Sequence, residues 1–86
     1  MKHAGAEALD RLDALLARIR LLPGLRERKR GIFYLHGRSL LHFHEDPAGL
    51  FADLAWRGED TRFRVSEPDE QLRLLRAIEA VLTEAG

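Results

Sequence analysis

Cysteine is missing altogether from this chain of 86 residues, which rules out disulfides and thiolate-held zinc as staples for the fold. An excess of charge of one sign is missing as well. The 14 Lys and Arg balance 14 Asp and Glu, so the sequence lacks the basic surplus with which nucleic-acid modules neutralise phosphates. No apolar run approaches the roughly 20 residues that a membrane-crossing helix needs. The opening MKHAGAEALD contains no apolar leader segment, and the chain reads as soluble and cytoplasmic, without membrane contact. Motifs that would announce a reaction are absent too: there is no G-x-S-x-G elbow, no phosphate-binding loop and no dinucleotide fingerprint.

Hydrophobic residues make up 45% of the chain, but eleven of them are alanine, which buries little area. A domain of this size hides only about 60–65% of the surface its unfolded chain exposes. One domain over residues 1–86 with a thin core is therefore expected, and a second copy of the chain is the simplest way to extend that core.

Two segments carry helical periodicity. In residues 6–22, Leu9, Leu12, Leu16 and Ile19 form an apolar stripe widened by Leu15 and Leu22, with acids early, arginines late and Pro23-Gly24 as the stop. In residues 67–84, Leu72, Leu75, Ile78 and Leu82 form a second stripe with Val81. Ser66 and Asp69 resemble a capping box, and Pro68 sits in the first turn. Between them, 25–31 reads as a polar connector, and 32–36, 39–44, 50–56 and 61–66 read as strands separated by short turns. The expected fold is α+β: a two-layer sandwich in which a four-stranded antiparallel meander is flanked by N- and C-terminal helices packed on one face, in the order α-β-β-β-β-α.

A two-residue hairpin loop at Gly37-Arg38 pairs His36 with Ser39, Leu35 with Leu40, Tyr34 with Leu41 and Phe33 with His42, and directly paired residues share a face. Ile32, Tyr34, Leu41, Phe43, Leu50, Ala52, Leu54, Phe63 and Val65 then face the helices. Phe33, Leu35, Leu40, His42, His44, Phe51, Asp53, Arg62 and Arg64 face away. This second set mixes an apolar strip with a His/Asp/Arg strip. Such a patch suits an interface, and sheet-on-sheet homodimerisation across Phe33, Leu35, Leu40 and Phe51 is the simplest use of it.

Within the patch, His42 and His44 project to one side and Asp53 approaches from the next strand, a donor set that suits a divalent metal. A structural or interfacial role is the first reading of these histidines, ahead of the metal and of acid/base catalysis. Glu45 and Asp46 read as turn formers before Pro47. Arg26, Arg28, Lys29 and Arg30 form the one basic cluster, interrupted by Glu27, and read as a solvated connector. Arg62 and Arg64 are expected to pair with Asp53 or with acids on a partner strand. Trp56 reads as a lid on the core. Ser39 and Ser66 lack any nucleophile context.

Leu22-Pro23-Gly24, a basic spacer, then Gly37, Arg38, Leu40, His42, His44, Gly49 and Asp53 together resemble the pattern of the small bacterial luciferase-like domain family, over residues 22–56. The resemblance implies no luciferase chemistry. It points to His42, His44 and Asp53 as the residues to test, and the chain departs from the pattern by its shorter C-terminal stretch. The reading as a whole is a non-enzymatic binding or self-association domain forming a homodimer through the open sheet face. The alternative is a small metal- or anion-binding protein, possibly a hydrolase, using His42, His44 and Asp53.

Overall fold

In a computed structural model describing residues 1–86, the chain runs through six strands and three helices. These are β1 (Lys2–His3), α1 (Ala6–Arg11), α2 (Asp13–Arg20), β2 (Leu25–Lys29), β3 (Ile32–Leu35), β4 (Arg38–Asp46), β5 (Gly49–Trp56), β6 (Glu59–Arg64) and α3 (Pro68–Ala85). The α+β class and the antiparallel pairing follow the sequence, but the sheet has six strands instead of four. Its order is β2-β3-β4-β5-β6, and β1 pairs with the far half of β4, on the edge that β3 occupies at the near half.

The expected connector 25–31 is thus largely the edge strand β2. Its apolar alternation is broken at Glu27, which stands where a core residue would. Glu27 instead accepts the Gly31 N–H (2.9 Å) and both ends of the Arg20 guanidinium (2.6 and 3.0 Å). Charged side chains are a common way to keep an edge strand from recruiting another. Of the basic cluster, Arg30 is ion-paired to Asp10 (2.8 Å) and Arg28 lies over the Tyr34 ring.

The N-terminal helix is interrupted at Leu12, whose N–H reaches the carbonyls of both Ala8 (3.2 Å) and Leu9 (3.1 Å) before the ladder resumes. Its stripe still buries Leu9, Leu12, Leu15, Leu16 and Ile19. The last helix begins one residue later than expected. Glu67, not Ser66, is its cap, and Glu67 and Glu70 bond reciprocally across the first turn. Ser66 instead accepts the Leu50 N–H through its hydroxyl (2.9 Å). The buried stripe of α3 is Leu74, Leu75, Ile78 and Val81, and Leu72 is exposed.

A single cluster of 19 buried side chains joins the helices to one face of the sheet. The β3–β4 hairpin differs most from expectation. Its turn is His36-Gly37, not Gly37-Arg38, and both residues have positive φ (51° and 80°), as a type I′ turn requires. Pairing therefore runs Leu35↔Arg38, Tyr34↔Ser39 and Phe33↔Leu41, with Leu40 as the extra residue of a bulge.

This arrangement withdraws Phe33, Leu35 and Leu40 from the outer face, where the sequence reading had placed them, into the core at 1%, 4% and 2% exposure. Ile32 and Tyr34, assigned to the core, are half-exposed. Magnitudes favour the observed register. Holding His36 in the left-handed region costs roughly 1–2 kcal/mol. Burying a Phe or Leu contributes about 1.5–3 kcal/mol, and the alternative register would enclose the Tyr34 hydroxyl without a partner.

Candidate metal centre

Along β4 and β5 the pairing is regular: His42↔Asp53, His44↔Phe51 and Leu41↔Leu54. Leu41, Phe43, Ala52 and Leu54 are buried beneath the helices, so His42, His44, Phe51 and Asp53 stand on the opposite face. In β6, Arg62 pairs opposite Asp53 and Arg64 opposite Phe51, which puts both arginines on that face as well.

A third imidazole arrives from the N-terminus. His3 pairs with His44 in the β1–β4 ladder, and the Ala4 N–H continues the contact to the Phe43 carbonyl at 3.0 Å. Glu45 fastens this segment: its carboxylate accepts the Gly5 N–H at 2.7 Å and lies 3.9 Å from the Lys2 ammonium. Asp46 accepts the Ala48 N–H (3.1 Å) within the turn. Glu45 is thus a tether, and only Asp46 serves the turn as the sequence suggested.

The three rings form a tight group. His3 stacks on His44 with centroids 4.8 Å apart, His42 meets His44 edge-on at 4.8 Å, and His3 and His42 are 5.8 Å apart. One nitrogen from each ring lies within 4.8 Å of the other two. His3 is exposed, His42 half-buried and His44 buried. Asp53, half-buried, accepts two hydrogen bonds from the Arg62 guanidinium (2.7 and 2.8 Å). Its Oδ2 is 3.1 Å from His44 Nε2, within ion-pair range, yet that ring nitrogen is not aimed to make a hydrogen bond. His42 Nδ1 and both nitrogens of His44 are consequently buried without partners. Each buried polar atom left in that state costs about 1–3 kcal/mol.

Electrostatics set the protonation states. Burial, and then the neighbouring His44, push the His42 imidazolium below its ordinary range, against the opposing pull of Asp53. The Arg62 hydrogen bonds hold the Asp53 carboxyl below the usual carboxylate range, outweighing its partial burial. Near neutral pH, His42 is therefore an uncharged imidazole and Asp53 an anion, the forms in which each ligates or supports a cation.

The remaining residues of the anticipated patch go elsewhere. Arg64 turns to Glu70 of α3 (3.0 and 3.1 Å) and to the Ala48 carbonyl (3.3 Å), linking the sheet to the helix cap instead of bordering the imidazoles. Phe33, Leu35 and Leu40 are core. Of the apolar strip that was to carry a homodimer, Phe51 alone remains outside, half-exposed. His3 was not anticipated: a strand of two residues has no periodicity, and its histidine carries no local signal. No helix is long and apolar enough to cross a membrane. No protein-family model, curated protein or solved structure matches the chain.

Proposed function

We propose that this chain binds one divalent transition-metal ion, of the kind that prefers imidazole nitrogen, through His3, His42 and His44. The observation that carries the proposal is the convergence of three imidazoles, two of them with buried nitrogens that lack hydrogen-bond partners, beside a carboxylate held ionised by Arg62. Zn–N bonds of about 2.0–2.1 Å put the ligands of a tetrahedral centre roughly 3.3 Å apart. The three nitrogens, within 4.8 Å of one another, need only close by small side-chain rotations, and His3 at the exposed end has room to swing. Neutral imidazoles suit zinc, nickel and copper, and a three-histidine set leaves one position for water or another ligand.

Asp53 serves this site best from outside it. A small rotation of the His44 ring would let its Nε2–H donate to Oδ2, leaving Nδ1 for the ion. The resulting order, arginine to carboxylate to imidazole to metal, orients a ligand and raises its basicity. We read the centre as a binding site and not as a catalytic one. Its nearby carboxylate is clamped by Arg62 and kept at low basicity, which makes it a weak proton acceptor. The resemblance to the luciferase-like domain family stands beside this as a proposal on the same strands, through His42, His44 and Asp53. A homodimer across the broad outer face has lost the apolar strip that motivated it.

Chelator-treated protein, dialysed against zinc and analysed for metal, should hold one ion per chain. At a free zinc concentration 100 times Kd the fold gains about 2.7 kcal/mol, which in a domain of this size raises Tm by roughly 10–20 °C. The His3→Ala/His42→Ala/His44→Ala variant should show neither the ion nor the shift. An equal shift in that variant would overturn the assignment.

A further inference from the structure

We infer a second, separate site: a cavity at the turn end of the sheet that takes a small organic anion with a flat apolar body. It goes beyond the metal reading and uses none of its residues. Ladder pairing between β4 and β5 stops at Leu41↔Leu54, because the bulge at Leu40 draws the start of β4 toward β3. The splayed strand ends, Arg38 to Leu40 on one side and Ala55 to Trp56 on the other, enclose a cavity of about 390 Å³ closed by the turn residues His36 and Arg57. Leu35 and Leu40 are core side chains, and Trp56 donates its indole N–H to Glu84 of α3 (2.7 Å), so the cavity lies on the helix-bearing side of the sheet, away from His42 and His44.

Four observations point to its occupant. The lining residues include Arg38, Arg57 and His36 and none that is acidic, and the nearby Glu84 carboxylate is taken up by Trp56 and Arg57. Arg57 is already matched by Glu84 at 2.7 Å, whereas Arg38 makes no ion pair, which leaves one cation unanswered. Across from Arg38 stands the Trp56 ring, its indole fixed by the bond to Glu84, and Leu40 adds apolar surface beside Arg38. Finally, the only two non-glycine residues with positive φ in the chain, His36 (51°) and Arg57 (53°), both sit on this rim. Each occupies the first position of an X-Gly turn, where asparagine would fit with less strain. The two hairpin turns thereby bring His36 and Arg57 to one opening. A cationic end and a flat apolar wall in a cavity of this volume match a ring-bearing carboxylate.

Trp56 is the sole tryptophan, so its emission reports on the cavity directly. Full-length protein titrated with benzoate should show a saturable change in that emission. Inorganic phosphate should bind at least tenfold more weakly and benzamide not at all. Arg38→Gln should weaken benzoate at least tenfold with Tm unchanged, since Arg38 is exposed and unpaired. His36→Asn should raise Tm while weakening benzoate. His44→Ala should leave benzoate binding unaltered, which separates this site from the metal centre. Equal binding of benzoate and benzamide would overturn the inference, as would phosphate binding as tightly as benzoate or an undiminished response in a folded Arg38→Gln protein.

Discussion

Truncating Phe33 to alanine should cost this protein far more stability than truncating its chain neighbour Tyr34. The contrast tests the hairpin register on which the outer face depends. Phe33 is 1% exposed at the centre of the core, and removing a buried phenylalanine costs about 3–5 kcal/mol in lost burial and cavity formation. Tyr34 is half-exposed with the Arg28 guanidinium 4.8 Å above its ring. Losing that contact costs about 0.5–1 kcal/mol, plus a small area term. An 86-residue fold has a total stability of roughly 4–13 kcal/mol at 0.05–0.15 kcal/mol per residue, so the Phe33 variant stands near the threshold of folding. Phe33→Leu, with a smaller deficit, keeps the measurement in range. Urea unfolding of the wild type, Phe33→Leu, Phe33→Ala and Tyr34→Ala gives the ordering through shifts in midpoint at constant slope. Should Tyr34→Ala lose as much as Phe33→Ala, β3 pairs with β4 without the bulge at Leu40 and the apolar strip belongs outside.

Two further outcomes follow from the site. The folded His42 resists protonation relative to its ordinary pKa of 6.5, so between that value and its lower folded pKa the unfolded chain binds more protons. Stability of the metal-free protein should therefore fall as pH drops below about 6.5, and His42→Gln should flatten that slope in thermal melts across the range; an unchanged slope refutes the assignment. Glu45→Ala should loosen β1, seen as faster exchange of the Ala4 amide, and weaken zinc by about two- to fivefold, the equivalent of 0.5–1 kcal/mol for one exposed hydrogen bond. Unaltered exchange would show that Glu45 does not hold the segment.

The sequence revealed the helices, the strands β3 to β6 and the side on which His42, His44 and Asp53 stand, because each of these rests on apolar spacing that burial enforces. It inverts β3. Moving a two-residue turn from Gly37-Arg38 to His36-Gly37 shifts the pairing by two residues and leaves the shared faces unchanged. The bulge at Leu40, invisible in a run of apolar residues, adds the odd residue that turns Phe33 and Leu35 to the helix side while His42 and His44 stay on the other. β2 escaped notice because Glu27 occupies its inward position, satisfied by Arg20 and Gly31 at distances no local pattern encodes. His3 escaped because its position depends on pairing with a strand some 40 residues away in the chain.

One edge of β4 is shared between two strands, and the half running from Phe43 to Glu45 is covered by Lys2, His3 and Ala4 alone. Strip those few residues away and the molecule acquires a fresh open margin along its longest strand, beside the buried side chains of Phe43 and His44. Such a margin invites a strand from another molecule to complete it. Whether a second strand can add along this part of β4 is therefore governed by whether Lys2 to Ala4 remain in place.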